Sequence, residues 1–151
     1  MLTAEKELLE NDARAGTIRI VFRNVLSFGE RSVRAGEAAA CAGRQGRFWE
    51  MHEILFQEQA TTWGTADTAE ALSAQMRRFA EKIEGLDRGA FASCLGERTT
   101  LAALRANDAE QRTRGITSQP IFEVFPEGAR LAGAQAVGVY RDALVRKTSS
   151  G

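Results

Sequence analysis

Apolar and polar residues alternate most clearly over Ile18-Arg19-Ile20-Val21-Phe22-Arg23-Asn24-Val25. Ile18, Ile20 and Phe22 point one way and Val21 and Val25 the other, which is the two-residue period of a strand. Apolar residues on both sides predict a strand covered on both faces, as in α/β proteins. Ile121-Phe122-Glu123-Val124-Phe125 predicts a second strand. Pro126-Glu127-Gly128 then reads as a turn, because proline suits its first central position, and residues 129–132 return as a short strand that closes a hairpin.

The rest of the chain carries helical spacing. Residues 4–14 predict a helix with Leu8 and Leu9 on its apolar side and Gly16 just past its end. Ser32 to Arg44 is Ala-rich and helical. Phe48, Met51 and Leu55 share one face of a helix over 48–59, and Leu72, Met76, Phe79 and Ile83 share one over about 67–84. Asp67 followed by Glu70 resembles a capping box at the start of the latter. Between these two helices, Thr61-Thr62-Trp63-Gly64 reads as a loop with Trp63 partly exposed. A short helix near Phe91–Leu95, another from Thr99 to about Arg114 ended by Gly115, and a last one from about Ala134 to Arg146 complete the pattern. The tail Thr148–Gly151 is expected to fray. Helix, strand, several helices, hairpin, helix is an α/β order with a helical insertion and few strands.

A chain of 151 residues makes one ordinary domain, and folding at this size buries about 70% of the unfolded surface, so no metal or dense disulfide framework is needed for a core. The 20 basic and 20 acidic residues cancel, which argues against a broad surface for nucleic acid or anionic lipid. No apolar run approaches the roughly 20 residues of a membrane span. The charged start, Met1 to Glu10, is not a secretory signal, and taken alone it suggests a cytoplasmic chain or one shown without its natural beginning. Two cysteines, Cys41 and Cys94, and one histidine, His52, do not supply the four ligands of a zinc site, and no metal or other cofactor is expected.

Several stretches together resemble the DsbA-like branch of the thioredoxin superfamily. Ile20 to Leu26 is similar to that family's second strand and the loop after it. The most specific match is Ala38-Ala39-Ala40-Cys41-Ala42-Gly43-Arg44-Gln45-Gly46-Arg47-Phe48-Trp49-Glu50-Met51-His52-Glu53-Ile54-Leu55-Phe56: an Ala-rich helix, a break of small residues, then Phe-Trp and a helix with His and Leu-Phe. Phe91 to Leu95 resembles a later insertion helix. Gly115-Ile116-Thr117-Ser118-Gln119-Pro120-Ile121-Phe122 is similar to the loop carrying a cis-proline, and Leu131-Ala132-Gly133-Ala134-Gln135 to the junction into the final helix.

The resemblance implies a single domain over 1–151 with insertion helices at about 32–114. In the family a first, central strand leads into Cys-x-x-Cys at the start of the first long helix. Residues 2–14 look like the end of that helix, so the first central strand and the motif are expected to be missing from this chain. The family's catalytic cysteines therefore map to no residue here. Whether the chain is an enzyme is left open: the family activity is thiol–disulfide exchange, and the chain as given is expected to be inactive. The alternative is a non-catalytic module that binds peptide or protein.

The resemblance also implies roles for particular residues. Gln119 and Pro120 are expected to form a substrate-binding loop for protein or peptide thiols and disulfides, with the bond between them cis. A cis X-Pro bond is otherwise uncommon, at about 5–6%. The family often has Thr or Val where Gln119 stands. Cys41 and Cys94 admit three readings: a structural bridge between insertion helices, as in some DsbA-like proteins, two inert buried thiols, or a reactive pair. The resemblance favours the bridge, which in turn implies an oxidising, extracytoplasmic setting. His52, inside its helix with no Ser or Cys near it in sequence, is expected to pack rather than to act as a base. The missing central strand would leave two strand edges open, which predicts association with a second copy.

Overall fold

The computed structural model describes residues 2–125 and 129–145. These form eight α-helices, a π-helical turn and one two-stranded antiparallel sheet. The expected turn at Pro126–Gly128 and the tail beyond Val145 lie outside the described residues. The chain divides into two compact units, Met1–Phe22 with Gly115–Gly151, and Arg23–Arg114.

In the Arg23–Arg114 unit, α2 (Gly29–Gly43) is the central element, packed by α3 (Phe48–Gln57), α5 (Ala69–Ala80), α6 (Arg88–Gly96) and α7 (Leu101–Thr113). Its alanines explain that position. Ala38, Ala39 and Ala42 are fully or almost fully buried, and with no side chain beyond Cβ they admit Met51, Met76, Phe79, Phe91 and Leu95 from the neighbouring helices. Gly36 extends the same logic. A Cβ there would stand 2.8 Å from Leu104 Cδ1, so a side chain at this position would push the buried Leu104 of α7 aside.

Local chemistry sets the helix boundaries. Thr68, not Asp67, caps α5: its hydroxyl accepts from the Ala71 N–H at 3.2 Å, while Asp67 pairs with Arg31 at 2.9 Å. Asp67 was the expected start, and a partner 36 residues away in sequence takes it instead. Asp87 caps α6 by accepting from the Ala90 N–H at 2.9 Å. The segment expected to be a loop, Thr61–Gly64, is helical and belongs to α4 (Gln59–Gly64). Three threonine hydroxyls serve it without breaking it: Thr62 and Thr65 bond carbonyls one turn back and Thr61 bonds Glu58.

An exposed-side clamp ties the chain entering this unit to α7. The Leu26 N–H donates to Asp108 Oδ1 at 2.7 Å, and Arg112, paired with Asp108 at 2.9 Å, donates to the Leu26 carbonyl at 3.3 Å. Burial alone would raise the Asp108 carboxyl. Arg112 and the Leu26 N–H together outweigh it and hold the group below the ordinary carboxylate value. A carboxyl depressed by folding contributes stability that is present above its unfolded value, about 3.9, and is lost as pH falls through the folded value. Acid titration of unfolding should therefore show Asp108→Asn less stable than the native chain at neutral pH, with the gap closing at low pH. A gap that stays constant with pH would refute the clamp.

In the other unit, α1 (Leu2–Glu7) runs directly into a π-helical turn, Leu8–Ala13. The hairpin β1 (Ile121–Val124) and β2 (Ala129–Ala132) pairs Phe122 with Leu131, and α8 (Val137–Val145) follows. Ala4, Leu8 and Tyr140 form the buried centre, with Ile18, Ile20, Phe122, Leu131 and Val137 against it. Arg141 ties α8 to the π turn through Asp12 at 2.9 Å.

The strand expected at Ile18–Val25 is not formed. The segment has no regular hydrogen-bonded structure, and among the described residues the sheet holds β1 and β2 alone. Its alternation is nonetheless retained, since Ile18 and Ile20 are half-buried while Thr17, Arg19 and Val21 are exposed. A two-residue apolar period reports one-sided burial of an extended chain; a ladder needs in addition a neighbour about 4.8 Å away with groups to exchange. Direct pairing of this segment with β1 does not occur.

Candidate functional site

The loop that enters β1 starts from Gly115, whose φ of +76° ends α7. Ile116 is buried, while Thr117, Ser118 and Gln119 are exposed and Pro120 is half-buried. The Gln119–Pro120 bond is cis. The loop's far end is anchored through a short relay. The Pro120 carbonyl accepts from the Gly133 N–H at 2.9 Å, and Gly133 adopts φ +77° just past β2. The Tyr140 hydroxyl accepts from the Gln135 N–H at 2.9 Å, and Gln135 Nε2 donates to the Ala132 carbonyl at 2.9 Å. Tyr140 is itself packed on Phe122, with ring centroids 4.4 Å apart. Buried Tyr140 thus fixes the β2–α8 junction, the junction fixes Pro120, and the polar face of residues 117–119 is left to solvent. β1 has a strand partner on one side only among the described residues.

Cys41 and Cys94 are joined by a disulfide, with Cα atoms 5.9 Å apart and a sequence separation of 53. It links α2 to α6. Cys41 is buried in the core beside Ala38 and Ala42, and Cys94 is half-buried at its edge. Arg44 reaches Cys94 from one turn beyond Cys41. Its Nη1 lies 3.8 Å from Cys94 Sγ and donates to Thr99 Oγ1 at 2.6 Å, and the Thr99 hydroxyl is 3.3 Å from the same sulfur. Sequence reasoning did not single out Arg44 or Thr99. The only signal available was an arginine three positions after one cysteine and a threonine five after the other.

His52 is buried among aromatic rings, 4.8 Å from Phe56, 5.4 Å from Trp49 and 5.8 Å from Phe48 between centroids. That is a packing position. Trp63 is 46% exposed and meets the exposed Phe28 edge-to-face at 5.3 Å, with the Arg31 guanidinium 5.3 Å from its ring. A depression of about 620 Å³ lies between α3 and the chain after α5. Of its charged residues, Arg47 pairs with Glu50 at 3.0 Å and Lys82 with Glu58. The hydrogen bond from Lys82, then that from Thr61, holds the Glu58 carboxyl below its ordinary value. Among the described residues no group of His, Cys, Asp or Glu is placed to hold a metal ion, and no helix is long and apolar enough to cross a membrane.

No curated protein matches the chain. A family model described as Thioredoxin matches residues 2–134, from α1 through the helices that the disulfide joins to the hairpin and the turn after it. With nearly the whole described length inside that match, the chain belongs to the thioredoxin family.

Proposed function

We propose that the chain is a DsbA-like member of this family, one domain with its insertion helices at about 32–114, that holds extended polypeptide at the Gln119–Pro120 loop. The observation that carries this reading is the family match spanning a loop whose residues 117–119 are exposed beside β1, a strand partnered on one side only among the described residues. An extended chain adding to that side would gain main-chain hydrogen bonds, with selectivity from the flanking side chains. Gln119 would offer an amide to the guest, where the family often has Thr or Val.

The family reaction needs a thiolate that attacks a disulfide and a second thiol that resolves the product. The two cysteines of this chain are not spaced as C-x-x-C and are tied to each other across two helices. The chain is therefore expected to give no catalytic turnover in reducing or oxidising a model protein disulfide, beyond a Cys41→Ala/Cys94→Ala variant. Turnover above that variant would overturn the non-catalytic reading.

The same surface suits a second copy of the chain, with Ile18–Val21 as the associating segment, because that segment is extended and unladdered. One experiment addresses both occupants. Amide shifts of labelled protein are followed on adding an unfolded, cysteine-free polypeptide and, separately, on raising protein concentration. Shifts centred on residues 117–124 with polypeptide support the binding loop; shifts at 18–21 with concentration support the dimer. Largest shifts within Arg23–Arg114 in the first titration would sink the loop assignment.

A further inference from the structure

The surroundings of the disulfide are asymmetric, and the asymmetry is chemical. Cys41 Sγ lies in the core, with Thr100 Oγ1 4.0 Å away as its polar neighbour. Cys94 Sγ is half-buried and has two groups turned to it, the Arg44 guanidinium at 3.8 Å and the Thr99 hydroxyl at 3.3 Å. Arg44 is held in place by donating to both Oγ1 and the carbonyl of Thr99, at 2.6 and 3.1 Å, and has no carboxylate partner among the described residues. An arginine braced against a sulfur without a counter-ion does little for a neutral disulfide. It is arranged for an anion at that position.

We propose that Cys94, once the disulfide is opened, is a nucleophilic thiolate site held by Arg44 and Thr99, and that it takes low-molecular-weight disulfides or electrophiles. A nearby cation and a hydroxyl donor both favour the charged form of a thiol. Cys41 is desolvated in the core, which favours its neutral thiol, and Arg44 and Thr99 are directed at the other sulfur. Other charged groups near Cys94 in the chain have partners of their own. Glu97, at the end of α6, accepts from Ser93, and Arg98 is taken by Glu30 and Glu37. Arg77 and Arg78 of α5 and Glu81 just after it are exposed, and Arg88 of α6 donates to the Glu81 carbonyl. The C-terminal end of α6 opposes a negative charge, but that effect is weaker than a hydrogen-bonded guanidinium and is screened at a partly exposed position.

A dithiol reductant passes two electrons and two protons to the pair and is itself closed to a disulfide. The Cys94 thiolate then attacks one sulfur of a small disulfide. That S–S bond breaks, a new one forms to Cys94, and the other half leaves as a thiolate that takes a proton from water. The adduct persists when Cys41 cannot deprotonate in the core to displace it. This reactivity is stoichiometric and separate from the peptide-holding role.

The test uses Cys41→Ala, in which Cys94 is free, with alkylation by iodoacetamide followed against pH and a parallel incubation with oxidised glutathione read by mass. Folded Cys94 is expected to react near neutral pH roughly tenfold faster than in denaturant, to inflect below the ordinary thiol value of about 8.5, and to gain one glutathione. Adding Arg44→Met removes most of the enhancement, and Arg44→Lys restores part of it. Equal rates folded and unfolded, or no effect of Arg44→Met, overturn the proposal. Should Cys41→Ala not fold, the dithiol-reduced native chain gives the same answer, with Cys94 labelling well ahead of Cys41; equal labelling of the two overturns it.

Discussion

Replacing both cysteines, in Cys41→Ala/Cys94→Ala, is expected to lower the stability of the Arg23–Arg114 unit by about 4 kcal/mol. The bridge closes a loop of 53 residues between α2 and α6. In the chain-entropy account, releasing a loop of that length returns about 4 kcal/mol to the unfolded state, a large part of the 5–15 kcal/mol that holds a typical domain together. A smaller packing loss adds to it, because Cys41 is in contact with the core alanines and its sulfur fills space there. The two tryptophans of the chain, Trp49 and Trp63, both lie in this unit, so denaturant unfolding followed by their fluorescence reports on it directly. The dithiol-reduced native chain separates the two contributions: it loses the cross-link but keeps the sulfurs. It should fall most of the way toward the double variant. If reduced and oxidised chains unfold within about 1 kcal/mol of each other, the loop is held by packing alone and the bridge is incidental to stability.

The parts of this structure that could be read from the sequence are those whose partners are close in the chain. Leu72, Met76 and Phe79 at helical spacing give α5, and the apolar run at 121–124 with its return at 129–132 gives the hairpin. The disulfide was implied by resemblance, with two other readings of the thiols left open until the helices were placed. What failed depended on distant partners. Ile18–Val25 has a strand's alternation, but a ladder depends on a neighbour that the segment itself does not encode. Asp67 is a good cap by type, yet Arg31 claims it and Thr68 takes the role. The site residues divide in the same way. The cis bond at Gln119–Pro120 was implied by the family resemblance. Arg44 beside Cys94 could not be read from the sequence, since the contact spans 50 residues and either residue alone reads as ordinary. His52 shows the converse: a titratable type that drew attention in the sequence packs among three aromatic rings.

Glu37→Ala is expected to cost about 3–5 kcal/mol, comparable with the loss of the disulfide. Glu37 is in the middle of α2 and fully buried. Arg98 meets it with both arms, Nε to Oε1 at 3.2 Å and Nη2 to Oε2 at 3.1 Å, and Arg34 donates to Oε2 at 3.3 Å. Glu30 completes the group by accepting from Arg34 Nε at 2.9 Å. Arg98 reaches this position from a left-handed backbone, φ +55°, just after α6. Only glycine and a few short polar residues adopt that conformation cheaply, so the guanidinium is kept there against a backbone cost of about 1–2 kcal/mol. The Glu37 hydrogen bond, followed by the attraction of Glu37 and Glu30, raises Arg98 above its ordinary value against the opposing effect of burial. Removing the carboxylate leaves Arg34, which is only 7% exposed, with Glu30 and a distant carbonyl, and strips Arg98 of its two-point partner. A buried pair is worth little relative to an apolar replacement of both members, but one member deprived of the other is costly. Glu37→Gln, which keeps one acceptor, should therefore be milder than Glu37→Ala. In a cycle with Arg98→Met, the double variant should be less destabilised than the sum of the singles by about 0.5–3 kcal/mol. Additive single effects would mean that the two side chains stabilise the unit independently, and that the ion cluster between α2 and the end of α6 is not a coupled one.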